Sequence, residues 1–309
     1  MSFIVPEAVM RKVVALGPAG HAWAAGIGDT VVRLAREWQL TAGRVLAGGS
    51  GAVVIEVAHG DRPAVLKLAI PDGLDGHSDF AVELDALLVG SPDAYVEVFA
   101  FDRDARAMLL ERLGRPLGDL DLPVESQIEV IASTLRHGWI AADRSCGLRS
   151  GAEQAASLIE SIDRRWQELN RPCREHVVAH ARSCLDARVA DFDDHATVLV
   201  HGDAHPYNLL EVPGTSRFKL IDPDGMRSEP AHDLAIPLRD WSIELLVAYD
   251  PIRLARSWCE KLADLGGAPF DAVWQWAYAE RVSTGLFATQ LGHPIGAQLL
   301  AVAEVLIGG

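Results

Sequence analysis

Cysteine is sparse in this sequence and carries no pattern: Cys146, Cys173, Cys184 and Cys259 form no C-x-x-C pair and have no histidine at zinc-finger spacing. That excludes a disulfide framework and a sequence-local zinc site, and it suits reduced thiols in a cytoplasmic protein. Long apolar runs are missing too; none approaches the roughly 18 residues of a membrane span. The opening MSFIVPEAVMRK lacks a basic segment followed by an apolar one, so no secretory signal is expected. Positive charge is in short supply: 28 Lys and Arg against 43 Asp and Glu leave a formal charge of -15. Nucleic acid needs clustered Lys and Arg, so it is not the expected partner, whereas a small cationic molecule suits the sign. No repeat, low-complexity tract or flexible linker breaks the chain.

What is present fits an ordinary globular protein. The chain has 309 residues, 49% of them hydrophobic, enough for two sub-domains around large cores. Its organising stretch runs from Val198 to Asp224. Val198, Leu199 and Val200 suit a short buried strand, followed by His-Gly-Asp with Asn208 five positions after Asp203. Phe218, Leu220 and Ile221 make a second run that ends on Asp222, with Asp224 and Gly225 behind it. Paired as a hairpin, the two runs would bring Asp203, Asn208 and Asp222 to one end. Asp and Asn are also ordinary turn formers. The spacing D-x-x-x-x-N, with an Asp about 14 residues on, nevertheless matches the catalytic loop and metal-binding Asp of kinases. Phosphoryl transfer uses that set: a carboxylate receives the attacking hydroxyl, while an Asn and a second Asp hold Mg²⁺ against the phosphates.

The chain before this stretch reads as a small β-rich lobe. Residues 1–40 look helical, with Val31, Leu34, Ala35 and Trp38 on one stripe and Asp29 or Thr30 as cap. RVLAGGSGAVVIEV then reads as strand, Gly-rich turn and strand, and AVLKLAI as a third strand. Gly49, Ser50 and Gly51 in the turn would let backbone N–H groups approach phosphates, although such a turn is also a plain hairpin. Lys67 lies between Leu66 and Leu68, so alternation turns it to the opposite face. A solvated strand lysine is one reading; the lysine of a kinase, which needs a glutamate, is the other. Glu83 supplies one, on the apolar stripe Phe80, Glu83, Leu87 of the helix DFAVELDALLVG. Residues 95–100 and 107–111 read as two further strands. Backbone groups of Glu111 and Leu113 would take an adenine edge before Gly114 and Pro116 end the strand.

The rest is helical, with apolar stripes at Ile128, Ile131, Leu135, Trp139, at Leu158, Ile162, Trp166, and at Val177, Ala181, Leu185, and later starts near Trp241, Asp250 and Asp271. The expected fold is therefore α+β: a bilobal protein-kinase-like fold with an N-lobe over 1–112 and a helical C-lobe over 113–309. Three features turn it away from protein substrates. Gly202, not Arg, precedes Asp203; Asp222 to Asp233 spans only about 11 residues; and no A-P-E follows.

HGDAHPYNLL, LIDPDG and EPAHDLA together resemble the aminoglycoside phosphotransferase superfamily. REWQLTAGRVLAGGSGAVVIEVAHGDRPAVLKL and MLLERLGRPL are similar, more narrowly, to its aminoglycoside/hydroxyurea resistance branch, typified by streptomycin 6-kinases. The resemblance implies ATP and Mg²⁺ as cofactors, Asp203 as catalytic base, Asn208 and Asp222 as metal ligands and Lys67 as the phosphate clamp. It further implies that Asp233 anchors the catalytic loop, and that His205 braces either the loop or a phosphate. Asp224 is left between a second metal and a turn. The glycine loop is richer in glycine than in many members of the family. The expected reaction moves the γ-phosphate of ATP to a hydroxyl of a small molecule such as streptomycin. A metabolic kinase for an amino alcohol, sugar or amino acid is the alternative, and a silent nucleotide-binding module a third. If streptomycin is the acceptor, its guanidinium groups require carboxylates and aromatic faces. Asp240, Trp241, Glu244 and Asp143 are the candidates, each also readable as an ordinary helix residue. A monomer or homodimer is expected.

Overall fold

The structure, a computed structural model, describes residues 4–46, 48–71 and 80–307. Residues 1–3 of the helical arm, Ala47 before the glycine turn and Asp79 at the start of the DFAVELDALLVG helix lie outside the described residues. Two compact units divide the chain, Met1–Gly114 and Arg115–Gly309.

The first unit opens with helices α1 (Glu7–Ala15) and α2 (Pro18–Glu37). Asp29 and Thr30, expected as caps, sit inside α2. The helix begins eleven positions earlier than Asp29 because Pro18 occupies its first turn, and the alanines behind it carry the helix through Gly20, Gly26 and Gly28. Then come β1 (Leu40–Val45), β2 (Ala52–His59), β3 (Arg62–Ala69), α3 (Phe80–Val89), β4 (Val98–Asp102) and β5 (Ala107–Glu111). The strands form one antiparallel sheet in the order β1-β2-β3-β5-β4. β4 starts later than the apolar run suggests, because Tyr95 is buried in a turn with its N–H on the Ser91 carbonyl at 2.9 Å.

Alternation assigns the sheet its faces. Val53, Ile55 and Val57 of β2 share a core with Leu66 and Leu68 of β3, Leu109 of β5 and Val9, Val13, Ile27, Val31 and Leu34 of α1 and α2. Lys67 therefore points to the other face, opposite Val54 and Met108 in register. That face is not solvated, for Val65, Ala69, Met108 and Leu110 are buried as well. β3 is covered on both sides, so its lysine is a buried one.

The second unit contains α4 (Val124–Gly138), α5 (Gly151–Glu168), α6 (Glu175–Ala190), strands β6 (Val198–Val200), β7 (Leu209–Glu211), β8 (Phe218–Leu220) and β9 (Met226–Ser228), then α7 (Pro230–Ala235), α8 (Ser242–Val247), α9 (Pro251–Gly266), α10 (Phe270–Gln290) and α11 (Ile295–Leu306). Ser150 and Glu153 close a reciprocal capping box that fixes the start of α5. α10 is buried along most of its length, and its apolar residues recur on every side, as an interior helix requires. Among the described residues no helix is long and apolar enough to cross a membrane.

The central stretch differs from the sequence reading in one respect. Val198–Val200 does not pair with the Phe218 run; β6 pairs with β9, and β7 pairs with β8. Leu209 to Glu211 follows Asn208 directly and closes a tight hairpin with Phe218 to Leu220, so the nearer partner wins and β6 takes the strand beyond Asp224. Two short ribbons, rather than one hairpin, carry the loops.

Asp194 pins the β6–β9 ribbon by accepting from Arg144 and, at 2.5 Å, from Arg227 Nη1 on β9. These two guanidinium groups pull its carboxyl down from 3.8 to about 2. A carboxylate with a depressed folded pKa contributes stability above its unfolded pKa and loses it as pH falls through the folded one. Asp194→Asn is therefore expected to lower the urea midpoint at neutral pH, and the gap to the wild type should close as pH falls from 3.8 to about 2. A gap that stays constant across that range would refute the assignment.

Candidate active site

In the first unit Lys67 Nζ forms an ion pair with Glu83 Oε1, and their side chains are 8% and 12% exposed. Leaving water is costly for both charges, so each is held in place by the other. At the glycine turn Gly48 and Gly49 have φ of +131° and +51°, a conformation that glycine takes without a steric penalty. The Gly51 carbonyl accepts from Ile70 N–H at 3.0 Å, and the N–H groups of Gly49 and Ser50 find no acceptor among the described residues. Glu111 closes β5 with its N–H on the Glu97 carbonyl, and the buried Leu113 turns its carbonyl to Arg112 Nη1 at 2.9 Å.

In the second unit one buried carboxylate builds the loop. Asp233, on α7, accepts from His201 N–H at 2.8 Å, Gly202 N–H at 2.8 Å and Trp139 Nε1 at 2.9 Å. Gly202 has φ +87°, and a Cβ there would lie 3.0 Å from both Asp224 Cβ and Met226 Cε. No other residue fits this turn without displacing its neighbours.

His201 ties the two functional loops together. Its Nδ1 accepts from Asp203 N–H at 3.1 Å and its Nε2 lies 2.8 Å from the Ile221 carbonyl, which sets the tautomer with the proton on Nε2. Burial holds its pKa low, so the ring stays neutral and serves as a two-ended brace. The His201 carbonyl in turn accepts from Asp224 N–H at 2.9 Å and Gly225 N–H at 3.2 Å.

Asn208 Nδ2 donates to the Asp203 carbonyl at 2.9 Å, which leaves its Oδ1 available as a hard oxygen donor. The Asn208 carbonyl accepts from Ile221 N–H at 2.9 Å, so Asp222 follows directly on a residue bonded to Asn208. Asp222 is exposed and has φ +57°. A left-handed aspartate ahead of a proline stores about 1–3 kcal/mol of strain, of the kind found at functional positions. The structure thus gathers Asp203, Asn208 and Asp222 onto one pair of bonded loops. Among the described residues no three His, Cys, Asp or Glu side chains could hold a metal by themselves. An amide oxygen and one carboxylate completed by phosphate oxygens is the usual manner of Mg²⁺, so the donor set fits that ion.

Asp203 is itself paired. Its Oδ1 takes Arg239 Nη2, and its Oδ2 lies 3.5 Å from His205 Nε2. Burial works to raise the Asp203 pKa, but the Arg239 guanidinium beside it outweighs this and keeps the group below the ordinary carboxylate range. His205 also accepts from Tyr207 N–H through Nδ1 at 3.2 Å, which starts the turn leading to Asn208.

The four substrate candidates separate. Asp240 lies beside the partner of Asp203, with Oδ2 3.9 Å from Arg239 Nε. Its burial raises its pKa against the pull of Arg239. Glu244 is exposed on α8. Trp241 is corrected: at 4% exposure it is a core residue, packed edge-on to Trp258 with Nε1 on Gln127 Oε1 at 3.3 Å. Asp143 is exposed and lies away from this group. It caps a short turn, accepting Ser145 N–H at 2.8 Å, beside Ala142 and Thr197 at the opposite end of β6 from Asp203. Arg239, which meets Asp203, and Glu280, which approaches Arg239, were not picked out by the sequence reading. Glu280 and Arg281, adjacent charges in the buried middle of α10, were the available signal.

A five-stranded antiparallel unit with a paired Lys and Glu, and a helical unit with the Asp, Asn and Asp loops, define a small-molecule phosphotransferase of protein-kinase-like fold. Within that class the chain belongs to the aminoglycoside/hydroxyurea antibiotic resistance kinase family, which matches residues 37–292. The fold is shared at low identity. A thermostable variant of aminoglycoside phosphotransferase APH(4)-Ia, in ternary complex with ADP and hygromycin B, is similar at 16% identity and TM-score 0.60, over 92% of this chain and 100% of that one. Choline kinase from Cryptosporidium parvum Iowa II is similar at 10% identity and TM-score 0.60, over 91% and 94%. Macrolide 2'-phosphotransferase MphH from Brachybacterium faecium is similar at 19% identity and TM-score 0.55, over 91% and 99%. No curated protein sequence matches the chain.

Proposed function

We propose that the protein phosphorylates a hydroxyl of an aminoglycoside, streptomycin at its 6-hydroxyl being the leading acceptor, with Mg-ATP as donor. The observation that carries the reaction is the Asp203 carboxylate, held on a loop that also positions Asn208 and Asp222. The family match over 37–292 supports the acceptor class. Neighbours holding ADP or AMP-PNP together with hygromycin B support the pairing of nucleotide and aminoglycoside.

Each residue then has a task. Asn208 and Asp222 hold Mg²⁺, which when bound neutralises charge on the transferring phosphate. Lys67, fixed by Glu83, takes phosphate oxygens of ATP, and the N–H groups of Gly49 and Ser50, which have no acceptor among the described residues, take others. Gly51 shapes that turn, and backbone groups of Glu111 and Leu113 meet the adenine edge. Asp203 receives the substrate hydroxyl through hydrogen bonding and accepts its proton as the bond to phosphorus forms. Phosphoryl transfer depends chiefly on positioning, so orientation of the hydroxyl is the larger contribution of Asp203. Asp240 and Glu244 are the carboxylates offered to a substrate cation.

The test is ADP release by the purified protein with Mg-ATP and a panel of streptomycin, other aminoglycosides, hydroxyurea, choline and ethanolamine. Release should depend on streptomycin and saturate with it. Release with an amino alcohol instead would move the acceptor to a metabolic hydroxyl, and release with none of the panel would discard the acceptor class.

A further inference from the structure

We propose that Arg239 is a positioning residue for this phosphoryl transfer: backed by Glu280, its guanidinium fixes the Asp203 carboxylate so that one oxygen is spent and the other is aimed at the acceptor hydroxyl. The inference rests on the role proposed for Asp203.

Arg239 closes the short 3-10 turn Ile236–Arg239 after α7, and its side chain is 15% exposed. The guanidinium is gripped on several sides. Nη2 meets Asp203 Oδ1, Nη1 reaches Glu280 Oε2 at 3.6 Å and Thr284 Oγ1 at 3.4 Å, and Nε faces Asp240 Oδ2 at 3.9 Å. Glu280 is anchored in turn on the buried helix α10. Its Oε1 lies 3.5 Å from Nε2 of His232, a fully buried ring set edge-on to Trp276 at 4.5 Å and 85°. His232 adjoins Asp233, the carboxylate that builds the catalytic loop. A continuous chain of side chains thus runs from the catalytic oxygen into the helical core and back to the same loop.

That arrangement does more than neutralise a charge. A guanidinium is a planar fork with fixed donor directions, so an oxygen bonded to it has a defined orientation, unlike one beside a mobile ammonium. With Oδ1 held by Arg239, Oδ2 is the more loosely engaged oxygen, 3.5 Å from both His205 Nε2 and Asn208 Nδ2, and it is the one offered to the hydroxyl. Three carboxylates share the one Arg239 cation, more acid than an ion pair needs for stability. In phosphoryl transfer, which depends on positioning, misplacing the carboxylate by about 1 Å costs on the order of 10²-fold.

Steady-state ADP release by R239A, R239K and E280Q, with the best acceptor of the panel or with water as acceptor, tests the proposal, and D203N is run alongside. R239A is expected to lose roughly 10²-fold in kcat with the KM for ATP little changed. R239K keeps the charge and loses the fork, so it should fall by roughly 10-fold, and E280Q should move the same way by less. Millimolar guanidinium should restore part of the R239A activity and none of the D203N activity, a response that a merely structural arginine would not give. If R239A fails to melt cooperatively, R239K and E280Q decide the matter. Turnover by both within about twofold of wild type, beside an inactive D203N, overturns the role of Arg239 alone. A D203N enzyme that turns over normally overturns the proposed reaction as well.

Discussion

Asp203→Asn should lose roughly 10²–10⁴-fold in turnover while nucleotide affinity stays close to that of the wild type. The amide cannot accept a proton, but every group that builds the loop remains. Asp233 still holds the two preceding N–H groups, His201 still braces the Asp203 N–H, and Asn208 still donates to the Asp203 carbonyl. Arg239 keeps Glu280 and Asp240 as neighbours, so removing one of its three carboxylates does not strand a buried cation. The same change at Asp222 acts elsewhere, lowering the affinity for Mg-ATP because a metal ligand is weakened. Calorimetric titration of ADP with Mg²⁺, set beside single-turnover rates, separates the two. An Asp203→Asn enzyme at near-normal speed would show that the carboxylate is not where the hydroxyl goes.

Asp233→Asn is the second large effect, and it acts on the fold. Three donors converge on the two oxygens of this buried carboxylate. An amide offers one oxygen and presents N–H groups where an acceptor is required, so at least one buried donor is orphaned and a charge-assisted set becomes neutral. A loss on the order of 3 kcal/mol follows from one such orphan and the weakened remainder. Denaturant unfolding should show an earlier midpoint, and turnover should fall with it because His201, Gly202 and Asp203 lose their common anchor. A shift below about 1 kcal/mol would mean that water or a neighbour satisfies those donors instead.

How far the sequence spoke varies with the kind of signal. The alternation around Lys67 left a solvated lysine and a paired one both open, and it was the apolar stripe around Glu83, with the kinase spacing downstream, that favoured the pair the structure shows. The loop Asp203 to Asn208 was legible for a different reason: its residue types and spacing are tied to one chemistry. Strand pairing was not legible for β6. Three-residue strands hold too little pattern to choose between Phe218–Leu220 and Met226–Ser228, and the choice was made by the hairpin that β7 and β8 close first. Trp241 illustrates a second limit. An aromatic beside two acids reads as a binding surface until the partner helix, which brings Trp258 over it, is known. Arg239 illustrates a third, since nothing local to the sequence says that a residue 36 positions downstream will face Asp203.

The segment from Asp222 to Asp233 has a consequence beyond the chemistry it supports. It contains a single hydroxyl, that of Ser228, which sits on β9 paired to β6 and is 0% exposed. In kinases that act on proteins this part of the chain is where another enzyme writes a phosphate and so grants permission to work. Here there is nothing to write on without first tearing out a strand. The segment offers no accessible hydroxyl, so phosphorylation of serine, threonine or tyrosine in this part of the chain is not a way to switch the protein.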